Sequence, residues 1–318
     1  DTAFDQTVEA LALFGNLNYE LSDELTLTLG LRYSQEDTEI EGGTCFAAGI
    51  DRSRKDDRPT SGCLAQLTSS DNVVGGNKRD DSNTSYVASL DWTPAGFEDT
   101  MFYGSVSSGF RSGGFNADLA TEPGQFNSLS PEEITAYEFG FKSILNDGTM
   151  RLNAALFYYD FENGFINVDN PLSPVPYTIN AAGLEVTGLD VEFQWLISQN
   201  WRLDAGLGLL DAEISSDSIS DGQSIDGNRP VNSPESSFNV SLSHNRELGN
   251  DFALEANINF DWRDDQYFET NNKPIDRQDA YGLANAYIGI TSGNWQFGLW
   301  GKNLTDEEYK VYVNDLPV

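Results

Sequence analysis

Few side chains in this sequence could carry covalent or metal chemistry. His244 is the only histidine among 318 residues. A Ser-His-Asp relay or a histidine-based metal site therefore lacks its raw material. The two cysteines, Cys45 and Cys63, flank the polar stretch GIDRSRKDDRPTSG. A disulfide closing a loop of this size in an oxidising compartment would stabilise by about 3 kcal/mol. The alternative is two unrelated thiols; their spacing does not fit zinc. The acidic pairs Asp56–Asp57, Asp80–Asp81 and Asp264–Asp265 could hold calcium, or could be solvated loop faces. GSVSSG contains no GxSxG elbow, and the glycines of SGGFN do not open a helix, so neither a hydrolase nor a phosphate loop follows. No catalytic residue, cofactor or resident metal is expected.

Binding remains. Cationic and aromatic side chains collect in the polar segments between the apolar stretches. The candidates are Arg52, Arg54, Lys55 and Arg58 between the cysteines, and Phe110, Arg111, Phe115 and Asn116 in SGFRSGGFN. Tyr177, Arg229, Tyr267 and Phe268 follow in later polar segments. Arginine and lysine suit an anionic ligand, and aromatic planes suit a flat or sugar-like one. Each could instead be an anchor for its own loop. The net charge of −33 makes nucleic acid an unsuitable partner, because phosphate binding needs a basic surface. The excess acid reads as a solvated surface, as cation sites or as adaptation to salt.

The elements that must position these residues show period two. In LTLTLGLRY, Leu25, Leu27, Leu29, Leu31 and Tyr33 share one face, with Thr26, Thr28, Gly30 and Arg32 on the other. FALEANINFDWR (252–263), WRLDAGLGL (201–209) and LDVEFQW (189–195) alternate in the same way. The pattern predicts about twelve strands, at 5–20, 25–40, 83–93, 100–110, 134–145, 149–161, 182–197, 201–214, 236–247, 252–264, 282–291 and 295–304. Short connections such as NDG and GN alternate with long polar ones at 41–82, 111–133, 162–181, 215–235 and 265–281. His244 falls in a strand, facing a lumen or an interface.

Alternation alone suits a soluble sandwich as well as a membrane barrel. Strand length, the alternation of turns and loops, and aromatics at strand ends favour the barrel. Those aromatics are Tyr19, Tyr33, Trp92, Phe102, Tyr103, Tyr158, Tyr159, Trp195, Trp201, Trp262 and Trp295. The expected fold class is all-β, a transmembrane antiparallel β-barrel with short periplasmic turns and long extracellular loops. No stretch is long and apolar enough for a membrane helix, and a spanning strand needs only about 9–11 residues.

Several segments resemble the barrel of TonB-dependent receptors of the siderophore type. They are YGSVSSGFRSGGFNA (103–117), the hairpin 132–165, NAAGLEVTGLDVEFQW (180–195), GNRPVNSPESSFNVSLSH (227–244) and WGKNLTDEEY (300–309). Their order covers almost the whole chain. The resemblance implies about 12 strands of a 22-stranded barrel, with the N-terminal plug domain and the final strand not present in 1–318. It also implies the outer membrane of a Gram-negative bacterium, TonB as a partner through the absent N-terminal region, and a ferric siderophore as ligand. Outer-membrane lipid and lipopolysaccharide would surround the barrel. Uptake of cobalamin or oligosaccharide, and a passive porin or structural barrel, are the alternatives. Some loop candidates would then touch lipopolysaccharide or the plug. The lack of loop histidines argues against haem.

Overall fold

The computed structural model describes residues 2–45, 63–67, 78–115, 128–170, 173–181, 183–215, 218–220 and 222–313. Twelve long strands pair antiparallel in strict sequence order. We label them β1 (Thr2–Ser22), β2 (Leu25–Cys45), β3 (Lys78–Trp92), β4 (Thr100–Arg111), β5 (Glu132–Leu145) and β6 (Met150–Glu162). They continue as β7 (Gly183–Ser198), β8 (Trp201–Ser215), β9 (Ser236–Gly249), β10 (Phe252–Arg263), β11 (Tyr281–Ser292) and β12 (Trp295–Gly301). Among the described residues β1 and β12 do not pair with each other.

The strands match the periodicity closely but differ at the rims. β2 runs on to Cys45, and a short strand, Cys63–Leu67, pairs back onto it with Cys63 opposite Cys45. β12 ends at Gly301, earlier than the pattern predicts. Asn303 and Asp306 there take positive φ, which only a turn accommodates. The Asn303 side chain organises that turn, its Oδ1 accepting from Glu307 N and its Nδ2 donating to Glu307 O. The hairpin at 249–252 centres on Asn250 and Asp251 rather than on GN. Both have positive φ, as a type I′ turn requires. Residues 132 and 133, left outside the predicted strand, belong to β5.

The pair register measures the tilt of the wall. Trp92, Phe102, Phe141, Ala154, Val191, Leu207, Phe238 and Trp262 form one continuous row of partners. Trp92 ends β3 at a short turn, while Trp262 is ten residues into β10, beside a long connection. The row thus climbs ten residues in seven inter-strand steps. At about 3.3 Å per residue and 4.8 Å per strand, that is roughly 33 Å up for 34 Å across, a tilt near 45°. Membrane barrels have this tilt.

The register also sorts the two faces. Leu17, Leu29, Leu90, Phe139, Leu156, Leu189, Leu207, Phe260 and Ile288 lie on the outer, lipid-facing side. The inward side carries Glu138, Lys142, Asn153, Asp190, Glu192, Asp204, Asn239, Asn257 and Asn285. Tyr33, Tyr86, Tyr137, Tyr158 and Trp262 form the upper outward belt, and Tyr19, Trp92, Phe102, Trp195, Trp201 and Trp295 the lower one. Tyr103 and Tyr159 do not belong to either belt. Period two turns both inward, where the Tyr103 hydroxyl donates to Glu138 at 2.5 Å and Tyr159 stacks on Phe157 at 4.7 Å. His244 is outward at the lower interface, its ring 4.3 Å from that of Trp201.

Leu156 is 55% exposed between Phe139 and Leu189. Leu156→Arg is expected to destabilise the inserted barrel by about 2–4 kcal/mol, as arginine does on a lipid face near the bilayer midplane. Asn239→Arg, on the inward face, is expected to cost far less. Urea unfolding in lipid vesicles compares the two, and equal losses would contradict the assignment of faces.

Candidate functional site

Three of the long connections fold onto one another above the wall. Phe165–Asn170 and Ser173–Asn180 form a hairpin whose base is closed by Ala181 N donating to Gly164 O at 2.7 Å. Beneath it Val168, Ala181, Ile214 and Ile225 make a buried apolar cluster, with Tyr177, Ile179 and Leu184 packed against it. The cluster therefore joins the hairpin to the connection after β8. Polar contacts extend the joint to the connection after β10. Thr270 Oγ1 donates to Asn167 O at 3.1 Å, Asn228 Nδ2 donates to Thr270 O at 2.8 Å, and Arg229 N donates to Asn272 Oδ1 at 2.8 Å. Asn272 Nδ2 returns a bond to Arg229 O at 3.0 Å.

Asp265 holds the charged centre of this canopy. It accepts from the Arg229 guanidinium and, at 3.1 Å, from Arg277 Nε. Arg229 also reaches Glu235 at 3.3 Å and lies over the Tyr267 ring at 4.9 Å. Hydrogen bonding from Arg277, and then from Arg229, holds the Asp265 carboxyl below the usual carboxylate range. A lowered folded-state value means the stabilisation is fully present above the ordinary carboxylate value, near 4, and is lost only as pH falls through the lowered one. The canopy should accordingly keep its cohesion from neutral pH down to about 5.

The structure distributes the sequence candidates unevenly. Arg52, Arg54, Lys55, Arg58 and Asn116 lie outside the described residues. Tyr177 packs on the apolar cluster and Phe268 is buried, so both contribute packing within the canopy. Arg229 and Tyr267 meet each other, as just described, with the charge of Arg229 already matched by Asp265. Phe110 is an outward residue of β4 next to Glu133, and Phe115 pairs with Ser128 in a two-residue ladder. Arg111 ends β4 on the inward side, its guanidinium 4.6 Å from the centre of the Phe165 ring. The glycines of SGGFN have a packing reason. A Cβ on Gly113 would strike Leu129 O and the Arg79 side chain. Its N–H donates to Asp81 at 3.1 Å.

In the described acidic pairs the two carboxylates point apart or are engaged by protein partners. Asp80 and Asp81 are neighbours on a strand and so point to opposite faces; Asp81 pairs with Arg79 at 2.8 Å. Asp265 is taken by two arginines, and Asp264 accepts from Ser236 Oγ at 2.9 Å. Asp56–Asp57 lies outside the described residues.

Below the canopy, at the outer mouth, lies a cavity of ≈ 830 Å³ lined by Asn239, Asp261, Arg263, Phe268, Tyr281 and Tyr309. Tyr281 and Tyr309 stack at 4.7 Å with planes 7° apart. Lys310 beside them is engaged, its Nζ donating to Ile275 O at 3.1 Å and Arg277 O at 2.8 Å. Arg263, the last inward residue of β10, makes no ion pair among the described residues. On a chain with net charge −33, a cation facing a cavity beside two stacked phenols suits an anionic ligand with aromatic or planar parts. Sequence reasoning passed over Arg263 because it sits within a strand pattern. Its position as the last inward residue before a long connection was the available signal.

Comparison with known proteins supports the same architecture. The family model described as "TonB dependent receptor-like, beta-barrel" matches residues 1–304. A probable TonB-dependent siderophore receptor, PiuA, of Acinetobacter baumannii is 25% identical over 243 residues, 73% of this chain and 28% of that protein. The pesticin receptor of Yersinia pestis is 23% identical over 318 residues, 96% of this chain and 40% of that protein. The crystal structure of the ferric yersiniabactin uptake receptor FyuA from Yersinia pestis superposes with a TM-score of 0.74 at 19% identity. That match covers 98% of this chain and 43% of the receptor. The chain spans well under half the length of the relatives it matches.

Proposed function

The chain belongs to the TonB-dependent receptor β-barrel family, a family of outer-membrane transport receptors, and from that premise we propose that it forms the wall and outer loops of an importer of ferric siderophores. The observation that carries the proposal is Arg263, without an ion pair among the described residues, beside the stacked Tyr281 and Tyr309 in the cavity at the outer mouth. Ferric catecholates and ferric citrate are anionic, and catecholates present flat donor groups. Arg111, inward at the end of β4, is the second cation in position to meet one. Relatives described as siderophore receptors support the choice of ligand class. In this reading the canopy captures ligand, and a plug domain driven by TonB, elsewhere in the full protein, gates passage. No acid, base or nucleophile is needed, because another protein supplies the energy. Lipopolysaccharide and phospholipid surround the outward face.

Binding of ferric catecholate, ferric hydroxamate and ferric citrate to the purified full-length receptor, followed by tryptophan fluorescence, tests the ligand class. One of the three should bind tightly. Arg263→Glu should weaken that binding at least tenfold, about 1.4 kcal/mol or more. No binding of any ferric chelate would remove the proposal and move attention to cobalamin or oligosaccharide.

We also propose that Cys45 and Cys63 form a disulfide. They are partners in the backbone register, and antiparallel partners stand about 4.5–5.5 Å apart at Cα, within disulfide range. Peptide mapping without reductant is expected to recover one linked pair; two alkylated free thiols would refute it.

A further inference from the structure

We propose that the outward face of the wall holds one lipid acyl chain in a fixed groove over Gly104. Glycine within a strand weakens it unless something needs the space. Most wall glycines have an evident occupant. Tyr103 covers Gly140, Phe157 covers Gly188, Asn239 fills against Gly206, and Phe260 covers Gly282. Gly104 has none: a Cβ there would meet only Phe139, at 3.9 Å. Among the extended glycines of β3 to β11, it alone leaves its volume empty.

The empty volume is part of a groove of ≈ 640 Å³ with Ala88, Gly104 and Val106 along its floor. Leu90 and Phe139 are the direct partners of Gly104 on either side and rise as its walls, 42% and 61% exposed. One row further from the short turns, Tyr137 and Tyr158 close the upper end, their rings 6.3 Å apart. The groove lies on the lipid-facing side between the two aromatic belts, where the surrounding medium is hydrocarbon. It is thus continuous with the membrane interface, and below the hydroxyls of Tyr137, Tyr158 and Thr187 its floor and walls are apolar and offer water no partners. An acyl chain is the one occupant of matching chemistry at that depth. The two phenols place the polar end of the lipid at the top and its tail toward the short turns. The bound lipid therefore belongs to the outer leaflet.

The full-length receptor can be reconstituted in phosphatidylethanolamine vesicles doped with phosphatidylethanolamine bearing a mid-chain diazirine. Photolysis and peptide mapping then locate the label. The expected result is about tenfold more label on the β4 peptide than on peptides carrying Leu189, Leu207 or Phe260, a preference of ~1.4 kcal/mol. Gly104→Leu should reduce β4 to the level of the others, and Ala286→Leu, a like change on the same face, should leave the excess intact. Even labelling of the native wall, or an excess that survives in Gly104→Leu, would overturn the groove. Migration of the unboiled protein on a gel checks that each variant is a folded barrel.

Discussion

Gly140→Val is expected to abolish the folded barrel. Gly140 lies on the inward face of β5, and a Cβ there would stand 2.5 Å from Ala154 O and 2.8 Å from the Tyr103 ring. The carbonyl oxygen belongs to the neighbouring wall strand and cannot retreat without breaking the ladder. The ring cannot swing away cheaply either. Its hydroxyl donates to Glu138 at 2.5 Å, and Lys142 lies over its face at 5.4 Å. Overpacking a close-fitted site costs about 1–3 kcal/mol even where side chains can yield. Here backbone must yield as well, so a loss above that range is expected. Gly104→Ala, with nothing closer than 3.9 Å, is the matched control and should fold normally. The fraction of protein that migrates as a compact barrel before boiling measures both. A folded Gly140→Val barrel would show that the close fit of β4, β5 and β6 is wrong.

The second large effect is expected in the canopy. Asp265→Ala removes the acceptor shared by Arg229 and Arg277. The Arg229 side chain is only 19% exposed, so it loses its main partner while still largely out of water. A partly buried charge left unpaired costs on the order of 2 kcal/mol. That cost should appear as loss of amide protection in residues 228–232 and 265–278 by hydrogen exchange, with the wall strands unchanged. Asp265→Asn retains an acceptor oxygen and should lose less. Uptake should fall with the protection, since the mouth cavity is lined by Phe268 from this same connection. Unchanged exchange in Asp265→Ala would show that the apolar cluster of Val168, Ile214 and Ile225 holds the canopy without the ion pairs.

Much of the wall was legible because the bilayer imposes simple rules. Period two, a turn or a long connection at each end, and aromatic belts located all twelve long strands to within a few residues at most ends. The failures have physical causes. Tyr103 and Tyr159 adjoin true belt residues, Phe102 and Tyr158, and composition cannot tell which of two adjacent aromatics faces lipid. Only the register does. The extension of β2 to Cys45 was hidden by the polar, glycine-containing run EIEGGT, which is ordinary for strand that stands above the membrane. The loops were less legible. Arg229 looked like a free cation because its partner, Asp265, is 36 residues away, and that pairing exists only once two connections fold together. Arg263 was hidden for the opposite reason: it fitted a strand so well that its position at the mouth went unread. The resemblance to a known receptor family covered the wall and left the ligand contacts to be placed residue by residue.

The central claim is that this barrel imports an iron chelate by an energy-coupled route. Uptake of a radiolabelled ferric siderophore by cells carrying the full-length receptor, in strains with and without TonB, tests it most directly. The account predicts saturable uptake that disappears without TonB and is sharply reduced by Arg263→Glu. Uptake that persists without TonB and rises linearly with concentration would mark a passive pore and contradict it.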